Sequence, residues 1–123
     1  MILVDTSVWV DHLRDGTPAL AAALEQGRVL THPFVLGELA CGNLKNRGEV
    51  LQLLGELPAA PMATDPEALD FIERRALMGR GIGYVDVHLL ASVALAGTSQ
   101  LWTRDKRLAA VAADLELAYA EQA

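Results

Sequence analysis

Cysteine is nearly missing from this chain. Cys41 stands alone among 123 residues, so no internal disulfide forms, and without a second thiol nearby a zinc knuckle is excluded. Its expected place is that of a small buried hydrophobe. Long apolar runs are missing as well. The longest, Leu89 to Gly97, is interrupted by Ser92 and falls far short of the ~20 residues that cross a bilayer, so no membrane span is expected. The start, Met1-Ile2-Leu3-Val4-Asp5, has no basic stretch ahead of its apolar residues; it is unlike a secretory signal, and the cytoplasm is the expected compartment. Aromatic residues are scarce at 5%, and ten glycines and five prolines are too few for collagen-like or low-complexity sequence. Basic residues are the minority, ten Lys and Arg against sixteen Asp and Glu for a formal charge of −6. That balance argues against a general DNA-coating protein.

What is there describes a globular protein. Apolar residues make up 52% of the chain and charged residues 21%, a composition that buries enough surface to fold. At roughly 100 to 200 residues per domain, residues 1–123 form one domain around a single core. The charge is unevenly spread. Arg74, Arg75, Arg80, Arg104, Lys106 and Arg107, against Asp86 and Asp105, give the stretch 74–107 a local charge of +4, leaving −10 for the rest. Such a stripe can steer a polyanion toward an otherwise acidic molecule, although a solvated helix face would look the same.

Local patterns alternate between strand and helix. Met1 to Val4 reads as a buried strand running into an N-cap at Asp5-Thr6-Ser7, followed by a helix carrying Val8, Trp9 and Leu13. Thr17-Pro18 opens a second helix that Gly27 closes, and Arg28 to Thr31 is a second strand. A largely buried helix is expected from Pro33 to Leu44, and another from Arg47 to Leu57. Pro58 to Ala63, with two prolines, is at best an edge strand. Asp65-Pro66 opens a helix ending near Gly79, the stretch 79–83 is a loop, and Val85 to Ala96 is a helix. Gln100 to Thr103, Asp105 to Ala113 and Leu115 to Tyr119 complete the pattern as strand, helix and strand. The expected fold is α/β: a small, mainly parallel central sheet flanked by helices in three layers.

The informative feature is where the acids sit. Asp5 is the only charged residue among the first ten, Glu38 the only one between Arg28 and Lys45, and Asp86 the only one between Arg80 and Arg104. Glu38, with Phe34, Cys41 and Gly42 as helical neighbours, is expected along a buried or partly buried face. Several kcal/mol per uncompensated buried ion, summed over such a set, would rival the ~5 to 15 kcal/mol stability of a domain. Topology suggests that the acids meet. Asp5 and Asp105 each follow a strand and sit over the crevice beyond the carboxyl ends of the sheet, and Asp86 at a helix start faces the same crevice. Two carboxylates ~4 Å apart repel by roughly 4 kcal/mol at an effective dielectric near 20, so the group would be unstable unless protonated or holding a cation, and a divalent-metal site is the implied arrangement. Oxygen-only donors favour Mg²⁺, with Mn²⁺ an alternative, as one or two ions. Asp5, Asp86 and Asp105 are each equally suited to plain helix N-caps.

Other residues read more simply. His88 is expected on the opposite or outer face of its helix, His12 and His32 show no partner pattern, and Trp9 and Trp102 belong in the core. The loop 79–83 lacks the Lys-Ser/Thr ending of a phosphate-cradling P-loop.

Together, Val4-Asp5-Thr6-Ser7-Val8, Glu38 with Gly42, Asp86 with Leu89-Leu90-Ala91, and Leu101 through Leu108 resemble a PIN domain. Within that family the chain is most similar to the VapC toxins of bacterial toxin–antitoxin pairs, and the resemblance spans nearly its whole length. It implies a metal-dependent endoribonuclease with a small parallel sheet. By this resemblance Asp5, Glu38, Asp86 and Asp105 form the catalytic, metal-holding quartet, with Ser7 and Thr103 as polar support. Arg80, Arg104, Lys106 and Arg107 become candidate contacts to RNA phosphates. It also implies a VapB-type antitoxin lying across apolar helix surface, such as the helices carrying Val8, Trp9 and Leu13 or Val50, Leu51, Leu53 and Leu54, and a homodimer.

Other classes stay in view. One is a PIN nuclease of RNA processing without a toxin role. A receiver-type signalling module shares the length and the acidic pocket, but Gly55 to Ala63 holds no Asp to accept a phosphoryl group. A haloacid-dehalogenase-type phosphatase would need an Asp where Ser7 stands. A non-catalytic module could use the same acids to hold a structural ion.

Overall fold

The shortest segments of the chain build its centre. The computed structural model describes residues 1–121. Strand β1 (Ile2–Val4) lies between β2 (Val29–Leu30) and β3 (Gln100–Trp102), and both neighbours run parallel to it. In register, Leu3 faces Leu30 on one side and Leu101 on the other. Parallel neighbours need a crossover connection, and these strands are apolar because helices cover both faces of such a sheet. Helices α1 (Thr6–Asp15) and α2 (Pro18–Glu25) connect β1 to β2. Helices α3 (Pro33–Cys41), α4 (Arg47–Gly55), α5 (Asp65–Arg75) and α6 (Tyr84–Ala96) lie between β2 and β3, and α7 (Lys106–Asp114) follows. The architecture is the expected three-layer α/β/α. No described helix is long and apolar enough to cross a membrane.

Helix α6 forms the spine of the core. Every residue from Val87 through Val93 is buried, which is why its sequence is apolar all round instead of striped. Leu3, Leu89, Leu90 and Leu108 are fully enclosed, each stabilising the fold by about 1.5 to 3 kcal/mol through burial alone. Trp9 and Trp102 are core residues, as expected.

Several boundaries differ from expectation, each for a local reason. The strand expected at Leu115 to Tyr119 shrinks to one parallel bridge, Leu101 with Ala118. The N–H groups of Leu115, Glu116 and Leu117 are spent closing the end of α7 on Val111, Ala113 and Ala112. Likewise Pro58 to Ala63 contributes only the bridge between Ala59 and Thr31, so β2 itself stops at Leu30. Helix α3 ends at Cys41 rather than Leu44, with Gly42 at its C-cap. Helix α5 ends at Arg75 rather than near Gly79, because Ala76 turns left-handed at φ +53°. Cys41 is exposed and not buried: α3 turns Val35 and Leu39 to the core, and two residues on, about 200° round the helix, the chain faces outward.

Candidate metal centre at the carboxyl ends of the sheet

Asp5 occupies the N-cap position of α1, yet its side chain caps nothing. It is buried, and its carboxylate is held instead by two hydroxyls from opposite ends of the sequence. Ser7 Oγ donates to Asp5 Oδ2 at 2.7 Å and Thr103 Oγ1 donates to the same oxygen at 2.8 Å. Each hydroxyl is aimed from behind by a backbone donor, Arg104 N–H onto Ser7 Oγ at 3.0 Å and Asp105 N–H onto Thr103 Oγ1 at 3.1 Å. The pairing of β1 with β3 continues one step further through Asp5 N–H to Trp102 O, 2.9 Å. Thr103, expected inside the strand, lies just past its end, and this frees its side chain to turn toward Asp5. Asp5 departs here from the ordinary capping role of its position, the kind of local departure expected at functional sites.

The other three acids arrive on helices. Asp105 caps α7, its Oδ1 accepting from Leu108 N–H at 2.9 Å. Asp86, half-buried in the first turn of α6, accepts from Gly83 N–H at 3.1 Å. Both therefore do what an ordinary cap does. Glu38 is exposed on α3, not on a buried face as expected, since α3 turns Val35 and Leu39 inward. Its Oε1 accepts from Thr6 Oγ1 at 2.7 Å. Thr6 is a contributor that local sequence does not mark, because its partner is 32 positions away.

Electrostatics ties the four together. Partial burial, and then the negative charges of Asp5, Asp105 and Glu38, push the Asp86 carboxyl above its ordinary range, while the Gly83 N–H pulls the other way. The cluster is loose: among the described residues, no three His, Cys, Asp or Glu side chains converge tightly enough to grip one ion as they stand. Protein donors hold the carboxylates one by one, and like charges do not close up on their own. The expectation that all of them are expensively buried is corrected; Asp5 alone is.

A sequence profile describing the PIN domain matches residues 2–114. The chain belongs to the PIN-domain family. Ribonuclease VapC32 of Mycobacterium tuberculosis, in strains CDC 1551 / Oshkosh and ATCC 25618 / H37Rv, is 50% identical to it over 122 residues, covering 99% of this chain and 98% of the relative. PIN-domain ribonucleases are generally divalent-metal dependent, and carboxylate oxygens such as those of Asp5, Glu38, Asp86 and Asp105 are the donor type that suits a hard cation.

The basic residues of the PIN domain divide into two groups. Arg80 is paired with Asp114 at 2.6 Å. Arg104 is clamped between Asp11, at 2.8 Å, and Glu121; its guanidinium is held protonated well above the usual range, chiefly by Glu121 and then Asp11. Lys106 and Arg107 are exposed with no carboxylate partner among the described residues. Arg107 lies over Gly81, where φ is +81° and an added Cβ would sit 2.9 Å from the arginine Cδ.

The histidines are all engaged. His12 Nδ1 accepts from Thr17 N–H at 2.9 Å, and buried His32 caps α3 by accepting from Phe34 N–H at 3.0 Å. His88 is not on an outer face but buried, its Nε2 3.2 Å from Asp65 Oδ1. Elsewhere, a groove of about 430 Å³ runs between α1, α2 and α4 past Trp9, Leu13, Leu24, Val50, Leu53 and Leu57. Val8, by contrast, is fully buried in the core.

Proposed function

We propose that this chain is a divalent-metal-dependent endoribonuclease that hydrolyses RNA phosphodiester bonds in the cytoplasm and serves as the toxin of a toxin–antitoxin pair. The observation that carries the reading is the buried Asp5 carboxylate, clamped through one oxygen by Ser7 and Thr103 just past β1 and β3 of a PIN domain; the Asp86 carboxyl, raised first by burial, also feels Asp5, Asp105 and Glu38. The likeness to Ribonuclease VapC32 over nearly the full length supports the choice of RNA as substrate.

In this reading Asp5, Asp86 and Asp105 hold Mg²⁺, or Mn²⁺ in its place, and Glu38 either completes a second ion site or orients the attacking water. When bound, the cation supplies Lewis acidity to the phosphate and makes a water more acidic. Asp5 is suited to the central position because Ser7 and Thr103 fix one of its oxygens and neither claims the other. Thr6 keeps Glu38 turned toward α1. Lys106 and Arg107 meet backbone phosphates, while Arg80 and Arg104 first have to leave their acidic partners. A VapB-type antitoxin would lay an apolar segment in the groove between α1, α2 and α4, where Leu13 and Leu53 are exposed, and the protein would work as a homodimer.

The test is cleavage of a structured RNA in Mg²⁺, in EDTA, and by Asp5→Asn. The expected outcome is cleavage in Mg²⁺ alone; activity that survives both EDTA and the substitution contradicts the reading. Expression of the chain by itself is expected to arrest growth, and Asp86→Asn to relieve the arrest. An active nuclease that leaves growth untouched would be a PIN nuclease without the toxin role.

A further inference from the structure

Four aromatic rings line up from the start of α3 to the start of α6. His32 meets Phe34 with centroids 5.0 Å apart, Phe34 meets His88 at 5.0 Å, and His88 meets Tyr84 at 4.6 Å, all edge-to-face. Three of the four are buried or half-buried; Tyr84, at the open end, is 43% exposed. Among the Phe, Trp and Tyr residues of the chain it alone is exposed. The ring is also held in place. Its hydroxyl donates to Asp65 Oδ1 at 2.7 Å, and the same oxygen lies 3.2 Å from His88 Nε2, so α5 fixes both rings.

Its position gives the exposed ring a use. Tyr84 is the first residue of α6 and Asp86 the third. They project about 200° apart round the helix, so the ring stands on the shoulder of the helix end and not over the acids. Three residues earlier, Arg107 packs over Gly81 with no carboxylate partner among the described residues. A fixed, exposed ring on the same loop-to-helix segment that Arg107 packs against at Gly81 supplies the two elements that hold single strands, a ring under a base and a cation on the backbone.

We propose that Tyr84 is a stacking platform for a nucleobase of single-stranded RNA flanking the cleaved phosphate. The proposal rests on the nuclease reading for its ligand. A fixed ring loses little freedom when a base stacks on it, and every base offers a π face, so the subsite favours unpaired RNA without reading one sequence.

The experiment titrates fluorescently labelled homopolymeric RNA and an abasic ribose-phosphate strand with the wild type, Tyr84→Phe and Tyr84→Leu in EDTA, by anisotropy. The leucine variant is expected to bind base-bearing strands roughly tenfold more weakly and the phenylalanine variant within about twofold of wild type, since the π face and not the hydroxyl does the binding. The abasic strand is expected to bind all three alike. Equal binding of base-bearing RNA by the wild type and Tyr84→Leu, or equal binding of base-bearing and abasic strands by the wild type, overturns the proposal. If Tyr84 only tied α6 to α5, both variants would lose melting temperature and neither would change the preference for bases. Cleavage by the wild type in Mg²⁺ is read separately: no cleavage with base-dependent binding intact sinks the nuclease reading and leaves the subsite standing.

Discussion

The two walls of the proposed acidic site are built by different means. On the β1/β3 side, strand pairing and two hydroxyls, each backed by a backbone N–H, clamp a buried Asp5. On the α3/α6 side, Glu38 is exposed with one hydroxyl donor and Asp86 half-buried with one backbone donor, their helices braced through Phe34 and His88. The first wall fixes its carboxylate in place. The second leaves its carboxylates free to adjust, which in the proposed site suits groups whose charge must be gathered at the moment of binding. Asp86 is pushed toward its protonated form first by burial and then by the charges of Asp5, Asp105 and Glu38, against the pull of the Gly83 N–H.

Asp86→Asn should produce the largest effect and pull function and stability in opposite directions. Cleavage is expected to fall on the order of a thousandfold, the equivalent of several kcal/mol of lost cation assistance. Stability should rise. Because the folded state holds the Asp86 proton more readily than the unfolded chain, ionising this group destabilises the fold as pH climbs from the ordinary carboxylate range through the raised value, and the penalty stays above it. Melting curves should therefore show the asparagine variant ahead at neutral pH and level with its parent in acid below the ordinary range. A variant less stable at neutral pH would place the strain elsewhere.

Loosening the fixed wall comes next. Thr103→Val takes one donor from buried Asp5 and strands the Asp105 N–H, for an expected loss of about 1 to 3 kcal/mol in denaturant unfolding. Cation affinity is expected to drop roughly 10- to 100-fold, as for other groups that orient a ligand. Thr6→Val, on the adjustable wall, is the mildest: stability within about 0.5 kcal/mol, because the pair is exposed, and a loss of cleavage smaller than that of Thr103→Val. A reversed order of the two threonines would erase the distinction between the walls.

Much of the fixed wall is legible in the amino-acid sequence. Asp5 and Asp105 each follow a short apolar run, and a parallel sheet sends the residues after its strands to one end. The adjustable wall is harder to read. Helix α3 carries apolar residues on most sides, so periodicity does not reveal that Glu38 faces out, and nothing near Thr6 announces a partner on another helix. The basic stripe has the same weakness: Asp114, Asp11 and Glu121, which neutralise Arg80 and Arg104, are brought in by tertiary packing. His32 and His88 look idle in the sequence because their neighbours lie on other elements. Asp86 and Asp105 fit both a capping role and a site role in the sequence, and the fold gives each of them a cap bond.

Calorimetric titration with Mn²⁺ of the parent and of Asp5→Asn, Glu38→Gln, Asp86→Asn and Asp105→Asn probes the joint site most directly. Binding by the parent that weakens in all three aspartate variants, most in Asp5→Asn, is the predicted result, with Glu38→Gln separating a second ion site, which it would weaken, from a water-orienting role, which leaves binding unchanged. Binding unchanged in every variant, or lost in one aspartate variant and untouched in the other two, would contradict a cation site shared by Asp5, Asp86 and Asp105.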